Sequence, residues 1–247
     1  MRMKYLAAAL ALAAGLAMAQ KPKSQKEADA VRAVMSASTP DAKIAAVEDL
    51  LTRYKDTEFK SFALTQAAQA EQIKGDQISG VNYANRAIDA DKKNYQALII
   101  LAQLIVQGTH EFDLDKDDKL GRVSKAANDA LTALSAAPKP NPALSDDQWD
   151  GIKKDFASQA HEALGMAAVL NKKLDVAVTE YKTAIDGNPM PDPGTMVRLA
   201  AVYDDQGKYD DAAPLLDKVA ASSAPDVYKK AAQQEKQRAE KLKSMKK

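Results

Sequence analysis

Two histidines, His110 and His161, are the only imidazoles in 247 residues, and there is no cysteine. Thiol nucleophiles, disulfides and cysteine-ligated zinc are excluded, and most imidazole chemistry is short of parts. What remains is carboxylate. Asp113, Asp115 and Asp117 alternate in the run Asp113-Leu114-Asp115-Lys116-Asp117-Asp118, as the ligands of a calcium loop begin. The match then fails, because Asp118 stands where that loop needs glycine and Ser124 where a bidentate glutamate closes it. The run reads as a solvated loop with His110 on its surface, and a weak cation site is the alternative. His161 precedes Glu162, a base and an orienter that would need a nucleophile and an oxyanion donor set, and nothing nearby supplies them. The single tryptophan, Trp149, is a packing residue or else an exposed anchor for a partner. Asp and Glu are abundant enough to leave a glycosidase-type carboxylate pair open, yet no known catalytic string appears. The expectation is a non-catalytic chain without a metal site or cofactor.

The elements that must position these residues are helices. The chain is 46% hydrophobic but only 5% aromatic, and 48 of its residues are alanine, the strongest helix former. β-Branched residues are sparse, which disfavours a sheet. The 35 basic and 34 acidic residues leave no field suited to nucleic acid, so no nucleic-acid partner is expected. Apolar residues recur at helical spacing over 26–36, 41–54, 59–74, 78–90, 95–107, 122–137, 149–170, 174–186, 193–206, 209–221 and 225–247. The connections are short, which makes sequential helices antiparallel neighbours. Two stretches interrupt the regularity: the acidic insert 108–121, and a linker over 138–144 whose prolines cannot continue a helix. Ser145 with Gln148 forms a capping box that launches the following helix.

Residues 1–19 have the layout of a secretory signal peptide. Arg2 and Lys4 precede an uncharged run from Tyr5 to Ala19, and Ala17-Met18-Ala19 forms a cleavage site before Gln20. A retained anchor is the alternative, although the run falls short of the ~20 residues that span a bilayer. Its removal leaves a mature chain of net charge −1, held together by burial alone. The expected destination is the periplasm if the source has an outer membrane, and otherwise the outside of the cell.

The informative signal is a repeat. Leu164-Gly165, Ala177, Tyr181, Ala184 and Pro189 are followed 35 residues on by Leu199-Ala200, Tyr203, Gly207, Ala212, Leu216 and Val219, with Pro225 one place late. Earlier copies are weaker: Ala68 and Ala102 stand 34 apart, Gly75 marks a turn, Gly80, Ala84 and Ala87 mark a second helix, and Ala126, Ala130, Ala133 and Pro138 follow the insert. This pattern resembles the tetratricopeptide repeat (TPR). The resemblance implies an all-α, right-handed solenoid of antiparallel helical hairpins. Residues 20–58 would supply a stub and a degenerate first hairpin, 59–224 the repeats, and 225–247 a basic capping helix.

In such a stack the first helices line an inner groove. The motif positions direct Phe62, Thr65, Gln66, Gln69, Ile99, Gln103, Val106, Met166, Val169, Val197, Arg198 and Asp204 toward it. Glutamine amides among Ile, Val and Met suit an extended or helical peptide. Family members that clamp a terminal carboxylate use Lys and Asn where Thr65 and Gln69 stand, so that clamp is not expected. Together with the signal layout of residues 1–19, the repeat and its groove lead to the expectation of an exported, non-catalytic scaffold or adaptor for a protein or peptide partner, active in envelope assembly or organisation. A carrier of a small ligand or cation is the alternative, followed by a wall-acting enzyme. The basic terminal helix offers a further contact, with an anionic membrane.

Overall fold

The computed structural model describes residues 21–245, so the expected signal segment lies outside the described residues. Those residues form eleven helices and no strand. They are α1 (Gln25–Ser36), α2 (Pro40–Arg53), α3 (Lys60–Lys74), α4 (Gln77–Ala90), α5 (Tyr95–Gln107), α6 (Lys116–Ser135), α7 (Asp146–Leu170), α8 (Leu174–Asp186), α9 (Pro193–Asp205), α10 (Tyr209–Ala221) and α11 (Asp226–Met245). Local chemistry sets most starts. Ser24, Thr39, Asp76, Asn94, Ser145 and Asp192 each accept a hydrogen bond from a backbone N–H of the first turn. Ser145 and Gln148 complete the capping box. Pro40 and Pro193 occupy first-turn positions, where a missing N–H costs nothing.

Each helix packs on its neighbours in sequence, giving hairpins α1–α2, α3–α4, α5–α6, α7–α8 and α9–α10 with α11 closing the stack. The core follows the same order. One apolar cluster spans α1 to α3 and the largest joins α3 through α7. Two smaller ones tie α7 to α9, and α9 and α10 to α11. Every hairpin thus depends on the next to cover its apolar side, which is the energetic logic of a solenoid.

Helices cross closely where a small residue stands. A Cβ on Gly165 would lie 2.5 Å from the Tyr181 ring of its own hairpin, so that crossing requires hydrogen, while one on Gly80 would lie 2.9 Å from a Leu104 methyl of the next hairpin, which can turn aside. Three of the turns within hairpins contain a left-handed residue: Gly75 (φ 79°), Lys172 (φ 57°) and Gly207 (φ 75°). Each falls seven residues after its repeat's small crossing residue, Ala68, Gly165 or Ala200. Lys172 therefore bears a backbone conformation that the other two copies give to glycine.

One boundary differs from expectation. The composition of the insert predicts a loop as far as Gly121, but α6 begins at Lys116. Asp117 and Asp118 sit in its first turn, where carboxylates complement the partial positive charge of the helix terminus. The acidic run is thus half loop and half helix start.

Candidate functional site

The first helices meet directly along the stack, α3 with α5, α5 with α7 and α9 with α11. The second helices pack mainly on the first helices before and after them, so the first-helix layer is the tighter, inner one. The candidate binding surface is the open side of that layer.

Gln66, Gln69 and Gln72 follow one another at three-residue steps on α3, which aligns them on one helix face. Gln69 is exposed and Gln66 half-buried, while Gln72 Nε2 donates to Oε1 of Gln103 on α5 at 3.2 Å. The amide of Gln103 is thus tied across the joint between two repeats. Farther along, Met166 and Val169 on α7 and Val197 on α9 are half-buried beside the apolar clusters of these helices. Arg198 Nη1 donates to Glu162 Oε1 at 2.7 Å and bridges α7 to α9. Burial pushes the Glu162 carboxyl up, Arg198 pulls it down, and burial prevails.

Five expected groove residues do not face it. Phe62 is buried in the cluster with Val31 and Val34, because the first hairpin closes over α3. Ile99 and Val106 are core residues because α7 packs against α5. Thr65 is buried too, and its hydroxyl donates to Ser61 O and accepts from the Asn94 amide at 2.9 Å. The same amide donates to Ser61 Oγ at 2.8 Å, and Ser61 Oγ donates to Ala87 O, so Asn94 ties together α3, α4 and α5. Asp204 is 1% exposed at the contact of α9 with α11. Among the described residues no donor reaches either of its oxygens. Burial first, and then the Glu235 carboxylate beside it, push its carboxyl up to about 7. Glu235 itself accepts from Arg238 Nη1 at 2.7 Å, and Arg238 also pairs with Asp205. Position within the repeat places a residue on a helix; which neighbour covers it depends on the whole stack.

The other candidates for chemistry are engaged structurally. His161 Nδ1 lies 2.8 Å from Glu180 Oε2 on α8, its own hairpin partner, while Glu162 turns to Arg198. Trp149 is buried, and Phe156 meets Tyr95 edge-on at 5.2 Å between ring centres. Lys119 Nζ lies 2.9 Å from Asp113 and 2.8 Å from Asp115, so the acids of the insert converge on an ammonium. Among the described residues no group of three or more His, Asp or Glu side chains is placed to hold a metal ion. No helix among them is long and apolar enough to cross a membrane. Sequence reasoning missed three pairings: Gln72 with Gln103, which an i, i+3 step from Gln69 would have flagged, and Glu162 with Arg198 and Glu235 with Asp204, which only the packing identifies.

Neither a protein-family model nor a curated protein matches the sequence. Solved structures do match its fold. The MamA protein of Desulfovibrio magneticus RS-1 is 14% identical with a TM-score of 0.56, over 80% of this chain and 95% of that one. A thermophilic TPR protein of Thermus thermophilus is 16% identical with a TM-score of 0.55, over 78% and 90%. The repeat in the sequence, the ordered hairpins and these likenesses agree: the chain is an all-α solenoid of the TPR-like fold.

Proposed function

We propose that this protein is an exported, non-catalytic adaptor that holds an extended or helical segment of a partner protein against its first-helix layer, in the assembly or organisation of the cell envelope. The observation that carries the reading is the amide strip of Gln66, Gln69, Gln72 and Gln103, continued by Met166, Val169 and Val197. A peptide backbone offers donors and acceptors in alternation, and glutamine amides answer both, while the apolar positions receive side chains. The signal-like layout of residues 1–19 supports export, with the periplasm as destination where the source has an outer membrane.

The test is an affinity pull-down of the C-terminally tagged chain after mild crosslinking in its native envelope. One stoichiometric partner is expected, lost when Gln69→Glu and Gln103→Glu are combined, because carboxylates cannot donate to backbone carbonyls. Capture unchanged by the double variant would move the binding surface elsewhere, and no capture above a tagged control would count against the adaptor.

A further inference from the structure

Five large apolar side chains that remain exposed, Ile73, Ile78, Phe112, Leu114 and Val176, gather on one edge of the solenoid. All stand in or beside the turns that lead from first to second helix in three successive hairpins, α3–α4, α5–α6 and α7–α8. The edge is continuous. A Cβ on Gly108 would lie 2.3 Å from Gln77 Oε1, Lys172 Nζ is 2.6 Å from Glu111 Oε1, and Gln206 Nε2 donates to Asp175 Oδ1 at 2.9 Å.

The insert projects from the middle of this edge as a formed finger. Asp113 Oδ2 accepts from His110 N at 3.1 Å and from Lys119 Nζ at 2.9 Å, and Asp113 O accepts from Lys116 N. In this braced loop Phe112 is 88% exposed and Leu114 fully so. Asp117 and Asp118, next in the chain, have no ion-pair partner among the described residues. The helix terminus explains the two acids, but not the two apolar side chains held beside them.

The complement lies on α11. Its inner side buries Ala232 in the cluster with α9 and α10. Outward, Val227, Lys230, Gln234, Gln237, Lys241 and Met245 recur at three- and four-residue steps and are all exposed, and neither Lys230 nor Lys241 pairs within the described residues. The stripe is about 27 Å long at 1.5 Å per residue. Three hairpins spaced at about 10 Å present an edge of about 20 Å, so the stripe is long enough to cover it.

We propose that the chain associates head to tail with a second copy of itself, α11 of one lying along this edge of the next, with Asp117 and Asp118 opposite one of its two unpaired lysines, which stand about 16 Å apart. Such a contact is heterologous, so it leaves a free finger at one end and a free α11 at the other. An anionic lipid surface is a poorer occupant, since the finger would carry its own carboxylates toward the headgroups.

Sedimentation equilibrium of the purified chain at about 0.05 M and about 0.5 M salt tests this. The mean mass is expected to rise with concentration at low salt and to fall back at high salt. Asp117→Lys with Asp118→Lys, and Lys230→Glu with Lys241→Glu, should each weaken association by at least about tenfold. Mixing these two variants should restore association, because the retained halves match and the two reversed halves also face each other with opposite charge. All four side chains are exposed; lysines at 117 and 118 weaken the start of α6, so circular dichroism must show the helix content kept, while the α11 variant leaves that terminus untouched. The proposal is overturned if the wild type stays monomeric at low salt, if neither variant lowers its mass, or if mixing restores nothing. Binding of the wild type to vesicles of anionic phospholipid through Phe112 and Leu114, without self-association, would assign the edge to lipid instead. The groove residues proposed on α3, α5, α7 and α9 take no part, so either result leaves the adaptor reading to its own test.

Discussion

Replacing Asp204 by asparagine should stabilise this protein at neutral and alkaline pH and do little in acid. Asp204 is buried with both oxygens lacking a donor, and Glu235 faces it from the capping helix. A proton on Asp204 converts two repelling carboxylates into a donor and an acceptor. Its carboxyl is raised from 3.8 to about 7, so between those values the folded chain holds a proton that the unfolded chain has released. Stability therefore falls as pH rises from about 4 to about 7 and levels off beyond. At about 1.4 kcal/mol per unit the loss is at most about 4 kcal/mol. Loosening of α11 admits water to the charge and should reduce the measured effect to about 2 kcal/mol. Asparagine keeps a donor toward Glu235 at every pH, so urea melts from pH 5 to 8 should show the variant gaining on the wild type by that amount. Amide protection along α11, taken relative to the base-catalysed intrinsic rate, should also fall between pH 5 and 7 in the wild type alone. Parallel stability curves for the two proteins would refute the argument, since they would mean that Asp204 is ionised and solvated throughout.

Three further outcomes follow from the packing. Gly165→Leu should lower the melting midpoint far more than Asp115→Ala, by about 3 kcal/mol against a few tenths, because any side chain at 165 enters the Tyr181 ring while Asp115 is an exposed partner of Lys119. Thermal melts of the two variants would decide it, and equal effects would undermine the register of the repeat. Lys172→Gly should raise stability by about 1 kcal/mol in urea melts, as relief of the left-handed strain outweighs loss of the exposed pair with Glu111. Asn94→Ala should cost about 2–3 kcal/mol by the same measurement, since one side chain caps α5 through Ala97 N and also satisfies Ser61 and Thr65.

The helices were legible because their punctuation is chemical. Pro40, Gly75, Asn94, the Ser145–Gln148 box and Pro193 mark boundaries by φ restriction, left-handed turns and side-chain caps, all of which act within four residues. The start of α6 was missed because Asp117 and Asp118 favour a solvated loop and a helix N-terminus alike, and composition does not separate the two. The groove was legible only in part. Gln69 and Gln103 belong to positions that stay accessible, whereas Ile99, Val106 and Phe62 are closed over by α7 or the first hairpin, and coverage by a distant helix leaves no trace in local spacing.

The joints between first helices bear on how such a surface would work. Gln72 meets Gln103 between α3 and α5, Glu162 meets Arg198 between α7 and α9, and Asp205 and Glu235 meet Arg238 between α9 and α11. The joint between α5 and α7 is instead apolar, with Tyr95 against Phe156 within the largest cluster. A partner backbone laid across the polar joints would compete for groups that already have a protein partner, so each hydrogen bond it makes there is an exchange with small net gain. Affinity must then come from side chains seated at Met166, Val169 and Val197, while the amides and the Glu162–Arg198 pair set register. On this argument Val169→Ser should weaken partner capture more than Gln66→Ala does, as read by quantitative crosslinking at matched expression. The reverse order would mean that recognition is polar and that the apolar positions serve the stack alone.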